Sequence, residues 1–153
     1  MTASEQFAPL SEAPSMKKLK VLFVCIGNSC RSPMAESIAL RDFSGFFESS
    51  SAGLAPFGSV QKETIETLKR NGYPVESLSS KSIIEKEWAA AELVINMSGY
   101  PKQRVFPRGE WNKVEDWDVS DPYGTDPHVY QRIFEDIRTR IESLTARLCN
   151  GQA

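Results

Sequence analysis

The sequence predicts one α/β domain of three layers, a four-stranded parallel sheet with helices on both faces. Three observations predict it. Segments of strand and helix character alternate along the chain, the pattern that builds parallel sheets with covered faces. Leu19-Lys20-Val21-Leu22-Phe23-Val24 is almost continuously apolar, as a strand buried on both faces must be. Near the end of the chain, Val129, Ile133, Ile137, Ile141, Leu144 and Leu148 fall on one face of a single long helix. A chain of 153 residues is long enough to bury a good core in one domain. In such a fold the crossovers are right-handed and ligands bind at the carboxyl ends of the strands.

Each element follows in order. Residues 1–16, rich in Ala, Ser, Pro and Glu, read as a flexible tail, and residues 17–149 as the domain. Leu19–Val24 is the first strand. Pro33 to about Phe43 is the first helix, with Ser32 as its cap, Pro33 at the first helical position and an apolar stripe of Met34, Ala35, Ile38 and Ala39. Glu48–Ala52 is the second strand, and the Gly, Pro and Phe57 of Leu54–Ser59 mark a loop. Val60–Asn71 reads as a helix with Ser59 as cap and Gly72 as stop. Leu78–Ser82 is irregular and Ile83–Ala90 a short helix. Leu93–Met97 is the third strand, Gly99–Gly109 a loop with a short helix, and Val114–Val119 the fourth strand. Asp121–Gly124 is a loop, after which Thr125-Asp126-Pro127 opens the long helix.

Composition sets bounds on function. A net charge of −2 and the short Lys17-Lys18-Lys20 cluster give no sign of a general nucleic-acid or membrane-surface binder. No apolar stretch approaches membrane-spanning length. Met1–Ser15 lacks the basic start and apolar run of a secretory signal. Three cysteines are too few for a disulfide scaffold and suit a reducing compartment, so the expected location is the cytoplasm. The single histidine, His128, stands at a helix start, and no Cys/His spacing is of ligand type. No metal or other cofactor is therefore expected, and a Ser-His-Asp triad is disfavoured.

The chemistry concentrates in Cys25-Ile26-Gly27-Asn28-Ser29-Cys30-Arg31-Ser32-Pro33, between the first strand and the first helix. A tight strand–loop–helix presents several backbone N–H groups and the positive end of a helix dipole to one point, which suits a phosphate or similar oxyanion. Cys25 at the floor of that loop lies in the same field, which favours the nucleophilic thiolate. Arg31 can grip two anion oxygens in a planar fork, as Lys cannot. A cysteine at a strand end is otherwise a small buried hydrophobe. Here Cys, Gly, Arg, Ser and Pro all stand where a strand-to-helix anion loop needs them. Ile26 to Ser32 thus reads as a phosphate-binding loop with a nucleophile aimed into it.

A leaving oxygen is displaced from phosphorus more readily when an acid protonates it. Two Asp-Pro pairs are available. Asp126-Pro127 is explained by helix capping. Asp121-Pro122-Tyr123-Gly124 lies in the preceding loop, and composition alone leaves a turn and a general acid equally open.

At these residues the chain resembles the low-molecular-weight protein tyrosine phosphatases, whose signature Cys-x5-Arg-Ser-Pro follows the first strand. Val24 to Glu36 matches nearly position for position, including Gly27, Asn28, Cys30 and Ala35-Glu36, and the family landmarks Ser51-Ala52-Gly53 and Asp121-Pro122-Tyr123 follow in order. The resemblance covers roughly Lys18 to Leu148. It implies the family's fold and a metal-independent phosphatase acting through a phosphocysteine, with Cys25, Arg31 and Asp121 catalytic and Asp121 the general acid. It further implies that Ser32 donates to the thiolate and that Asn28 braces the loop. Phe57 and Tyr123 stand where the family recognises a flat leaving group, though either can be ordinary packing. The expected partner is a phosphorylated protein or small phosphomonoester, and the protein is expected to be a monomer or weak dimer.

Departures from the pattern bear on the substrate. Ser98 follows Met97 where many members carry Asp, Pro74–Ser82 lacks a common histidine, and Gly124 follows Tyr123 where animal members often have a second tyrosine. Protein-arginine phosphatases share the signature and carry a small hydroxyl residue where this chain has Ser29. Arsenate reductases of the same fold match Asn28-Ser29-Cys30-Arg31-Ser32, but thioredoxin-coupled members need two further mid-chain cysteines, and none lies between Cys30 and Cys149. A module that binds phosphate without turnover would need neither Cys25 nor Asp121. Cys30 either fills space behind the loop or, as the resemblance implies, forms a protective disulfide with oxidised Cys25.

Overall fold

The structure, a computed structural model, describes residues 17–151. The tail expected over residues 1–16 lies outside the described residues. Four strands, β1 (Leu19–Cys25), β2 (Phe47–Gly53), β3 (Leu93–Asn96) and β4 (Val114–Asp116), form one sheet in the order β2-β1-β3-β4. All three pairings are parallel, with Cys25 opposite Gly53 and Val24 opposite Asn96 at the carboxyl end.

The central position of β1 explains its unbroken apolar run. Val21, Phe23 and Cys25 belong to one buried cluster and Leu22 and Val24 to the other, so successive side chains feed two cores on opposite faces. The first core lies under α1 (Arg31–Asp42), α2 (Lys62–Arg70) and α5 (Pro127–Cys149), which contribute Met34, Ile38, Leu68, Phe134, Ile137 and Ile141. The second lies under α3 (Glu85–Ala90) and the segment around α4 (Lys102–Val105), where Trp88 and Phe106 stack at 5.0 Å. These are the three layers expected. The α5 stripe faces inward as its spacing requires, with Ile133, Ile137, Ile141 and Leu144 buried and Val129 and Leu148 packed at the margin. Each fully buried side chain of this size contributes roughly 1.5–3 kcal/mol.

Several boundaries differ from expectation by a residue or two, and three differences have a visible cause. Helix α1 begins at Arg31, and Ser32 makes no capping bond; its hydroxyl is committed to the loop described below. Helix α2 begins at Lys62 with Gln61 in the N-cap position and without a side-chain cap, so Ser59 is not its cap. The Gln61 amide donates instead to Ser29 O at 3.0 Å, tying this segment to the loop after β1. Strand β4 stops at Asp116, short of Val119. The Trp117 amide makes one more bond to Asn96 O, and the Val119 amide then turns back to Trp117 O.

Asp126 caps α5, its Oδ1 accepting from the amides of His128 (2.9 Å) and Val129 (3.1 Å), with Pro127 in the first turn. Asp126→Asn is therefore expected to leave stability and catalysis unchanged. Asp126→Ala is expected to cost about 1 kcal/mol in denaturant unfolding. A loss of turnover in Asp126→Asn would contradict the assignment of this residue to capping alone.

Candidate active site

Between Cys25 and Arg31 the chain makes one tight turn, and its shape follows from where its carbonyls go. Cys25 O accepts from the Leu54 amide (3.1 Å), Ile26 O from Ala55 (2.8 Å), and Gly27 O from the Phe57 amide and Ser80 Oγ (both 2.8 Å). Ser29 O accepts from the Gln61 amide (3.0 Å) and Thr64 Oγ1 (2.8 Å). All these partners lie outside the turn. Among the described residues, the amides of Ile26 to Cys30 donate to no protein group. A loop tethered outward by its carbonyls turns its N–H groups inward and forms a nest for an anion at the start of α1.

Two residues permit the turn. Asn28 has φ 49°, the only non-glycine residue with positive φ among those described, and asparagine tolerates that region better than most. Opposite it, a Cβ on Gly53 would stand 2.7 Å from Ile26 O and 2.9 Å from the Asn28 amide nitrogen, so only glycine fits. The Ser-Ala-Gly landmark thus ends in a glycine because the loop passes directly over it.

Arg31 is buried with 4% of its surface exposed. Its Nη1 donates to Met97 O (2.6 Å) and Val119 O (3.2 Å). Nε has no partner among the described residues, and Nη2 lies 3.5 Å from Asp121 Oδ2. One corner of the guanidinium is anchored, and the Nε–Nη2 edge remains for a two-point grip on an oxyanion. Ser98, which follows Met97, bonds back to Asn96 Oδ1 through Oγ (2.7 Å) and its amide (3.1 Å). Backbone carbonyls do the anchoring, so Arg31 does not require a carboxylate at position 98.

At the floor, Cys25 Sγ lies 3.0 Å from Ser32 Oγ. Asn28 Nδ2 donates to Ser32 Oγ (2.7 Å) and Ser51 Oγ (3.0 Å), and Asn28 Oδ1 accepts from the Lys81 amide (3.0 Å). These bonds tie Asn28 to Ser32, to Ser51 on β2 and to the backbone at Lys81. Cys25, Cys30 and Cys149 are free thiols. Cys30 is a buried residue of the loop that lines the cleft, 3.5 Å from Tyr130 Oη and 3.8 Å from Ser29 Oγ. Burial pushes its thiol up, outweighing the hydrogen bonds to Thr64, Tyr130 and Ser29.

Above the loop is an open cleft of about 240 Å³, lined by Cys25, Ser29, Arg31, Phe57, Asp121 and Tyr123 among others. Asp121 is half-exposed, and its Oδ1 accepts from the Tyr123 amide at 3.1 Å. It is thus both a turn residue and a carboxylate in the cleft. Phe57 and Tyr123 are 57% and 54% exposed, with ring centroids 5.9 Å apart. They flank the mouth instead of filling a core. Among the described residues no cluster of His, Cys, Asp and Glu could hold a metal ion, and no helix is long and apolar enough to cross a membrane. The structure therefore brings Cys25, Ile26, Gly27, Ser29, Cys30, Arg31, Phe57, Asp121 and Tyr123 to one cleft, with Asn28 and Ser32 buried beneath it. Sequence reasoning missed the Met97 and Val119 carbonyls, Thr64 and Lys81, which act through backbone or from distant segments and carry no motif. It also passed over the side chain of Glu36, although the motif contains it.

Glu36 Oε1 accepts from Ser51 Oγ at 2.5 Å. Burial pushes its carboxyl above the ordinary range, opposed by the Ser51 bond and Lys81 and reinforced by Glu87. The folded protein thus holds a proton on Glu36 more readily than the unfolded chain. That contribution to stability is present in acid and is lost as the pH rises through the raised value. Glu36→Gln is accordingly expected to raise the unfolding temperature most at neutral pH and above, with the gain fading below the ordinary carboxylate range. A gain that grew in acid would contradict this sign.

Comparison with known proteins agrees with the geometry. The family model for low molecular weight phosphotyrosine protein phosphatases matches residues 20–153. A low molecular weight protein tyrosine phosphatase from T. tengcongensis superposes with a TM-score of 0.76 at 32% identity, covering 85% of this chain and 99% of that one. An arginine phosphatase from Geobacillus stearothermophilus superposes with a TM-score of 0.77 at 27% identity, covering 88% and 95%. An arsenate reductase of Staphylococcus epidermidis is 30% identical over 132 residues, 86% of this chain and all of its own. Together with the Cys25–Arg31 loop, these findings make the chain a member of the low molecular weight phosphotyrosine protein phosphatase family.

Proposed function

We propose that this protein is a cytoplasmic protein-tyrosine phosphatase that works through a phosphocysteine intermediate. The observation that carries the reading is the Cys25 sulfur, 3.0 Å from Ser32 Oγ, at the base of a loop with inward amides and the free edge of Arg31. A dianionic phosphoryl group seats there with its equatorial oxygens on the amides and the guanidinium. Cys25 attacks phosphorus in line, the P–O bond to the leaving group breaks, and Asp121 gives that oxygen its proton. Water then attacks the phosphocysteine, Asp121 takes a proton from it, and the S–P bond breaks to return the Cys25 thiolate and inorganic phosphate. Ser32 donates to the thiolate as it departs. Phe57 and Tyr123 offer two flat apolar faces beside the leaving group, which favours an aryl phosphate.

A second reading, a protein-arginine phosphatase, is favoured by Ser29, which leaves that stretch of the cleft wall small and polar. Arsenate reduction has less support. The chain has no cysteine between Cys30 and Cys149, and the latter is exposed at the end of α5, so a disulfide cascade has no mid-chain thiol to use. Turnover of phosphotyrosine, phosphoarginine and arsenate measured side by side decides among the three. The expected order places phosphotyrosine first; faster phosphoarginine turnover would replace this reading with the second.

Two variants test the chemistry. Cys25→Ser is expected to abolish turnover while retaining phosphate binding, because the amides and Arg31 remain. Asp121→Asn is expected to slow esters with poor leaving groups by ~10²–10⁴-fold and esters with good leaving groups far less. Equal losses on both kinds of ester would assign Asp121 to the turn alone.

A further inference from the structure

One chain of hydrogen bonds, buried except at its far end, runs from the nucleophile to a carboxyl group that no step of the proposed reaction uses. Its members are Cys25 Sγ, Ser32 Oγ, Asn28 Nδ2, Ser51 Oγ and Glu36 Oε1, at successive separations of 3.0, 2.7, 3.0 and 2.5 Å. Ser32, Asn28 and Ser51 are each fully buried, so no solvent competes for these bonds.

With Cys25 a thiolate and Glu36 a carboxylate, neither having a proton to give, the direction of every bond is determined. The Lys81 amide can only donate, so the Asn28 atom it meets at 3.0 Å is the oxygen, and the Asn28 nitrogen faces the two serines. That nitrogen donates to both hydroxyl oxygens, and each serine then has one proton left to place. Ser51 places its proton on Glu36 Oε1. Ser32 has the Cys25 sulfur at 3.0 Å and only a distant alternative, Ala52 O at 3.5 Å. Without an acceptor at Glu36, the Ser51 hydroxyl would be free to turn its proton toward Asn28. Asn28 would then lose a partner on that side, and the aim of its other N–H at Ser32 would loosen.

We propose that Glu36 is a positioning residue for the nucleophile: as the terminal acceptor of this chain it keeps the Ser32 hydroxyl donating to the Cys25 sulfur. This rests on Cys25 being the nucleophile of the proposed function. Retaining a half-buried carboxylate that weakens the fold at neutral pH is the accompanying cost. The charged groups facing the chain are Lys81 and Glu87 at the Glu36 end, and Arg31 and Asp121 at the Cys25 end.

The sign of one shift separates this role from simple charge. Removing a carboxylate removes negative potential, and by that effect alone a nearby thiolate would form at lower pH. Loss of an aligned donor has the opposite effect. The test is the rate of Cys25 alkylation by iodoacetamide against pH, read by mass spectrometry in the resting protein, since only the thiolate reacts. In Glu36→Ala the profile is expected to move to higher pH by about half a unit, roughly a threefold slower reaction on the acid side. Glu36→Gln, which keeps an acceptor for Ser51, is expected to stay close to the wild-type profile. Ser51→Ala is expected to move it upward as Glu36→Ala does, and the double variant no further than either single one.

A downward or absent shift in Glu36→Ala, an equal upward shift in Glu36→Gln, or additive shifts in the double variant would each overturn the proposal. If Glu36→Ala fails to fold, Ser51→Ala and Glu36→Gln decide the matter between them: an upward shift in the first and none in the second support the role, and any other pair of results overturns it. The measurement needs no turnover, so its failure is distinct from failure of the phosphatase reading, which Cys25→Ser tests separately.

Discussion

The outward tethering of the loop after β1 is the constraint on which the rest of the site depends. Amides can converge on an anion only if the carbonyls of the same peptides are satisfied elsewhere, because a buried carbonyl left unpaired is costly. Here that demand falls on the loop from Leu54 to Phe57, on Ser80 and on the start of α2. Those segments are separated in sequence from the loop they hold. The sheet brings them together, because β1 and β2 are parallel neighbours and Cys25 ends level with Gly53.

Placing β1 in the middle of the sheet has a second consequence. A strand buried on both faces has little freedom to shift, since a slip of one residue would exchange its two sets of core side chains. Cys25 at its end inherits that rigidity. Arg31 is held from the other side, by carbonyls just beyond the ends of β3 and β4, so the carboxyl ends of the strands gather around the same anion site. The two exposed aromatic rings and Asp121 sit on loops at the mouth of the cleft.

Much of this is legible in the sequence because it is written in local pattern. The continuous apolar run of β1, the inward stripe of α5 and the Asp126-Pro127 cap each reflect one periodicity or one capping preference, and each is found in place. The anion loop is legible because strand, Gly, Arg, Ser and Pro occur at fixed spacing. Ser before Pro ordinarily caps a helix, and nothing local reveals that the Ser32 hydroxyl is spent on a thiol seven residues earlier. Ser59 misleads for a similar reason, since the start of α2 is set by a bond to Ser29. The pattern of β4 overruns its true end because Trp117 and Val119 are buried although they lie past Asp116, the last residue in register with β3. Glu36 lies within the motif, yet its partner Ser51 is on another strand, and only the fold shows that the two side chains meet.

Everything proposed for the chemistry turns on one covalent step, the passage of the phosphoryl group through sulfur. It is read by a rapid denaturing quench during turnover of a ³²P-labelled aryl phosphate, followed by peptide mapping. Label is expected on the peptide containing Cys25 in the wild-type protein and on no peptide in Cys25→Ser. Label on another residue, or turnover at full rate with no labelled protein under conditions where breakdown of the intermediate is slow, would contradict a phosphocysteine mechanism.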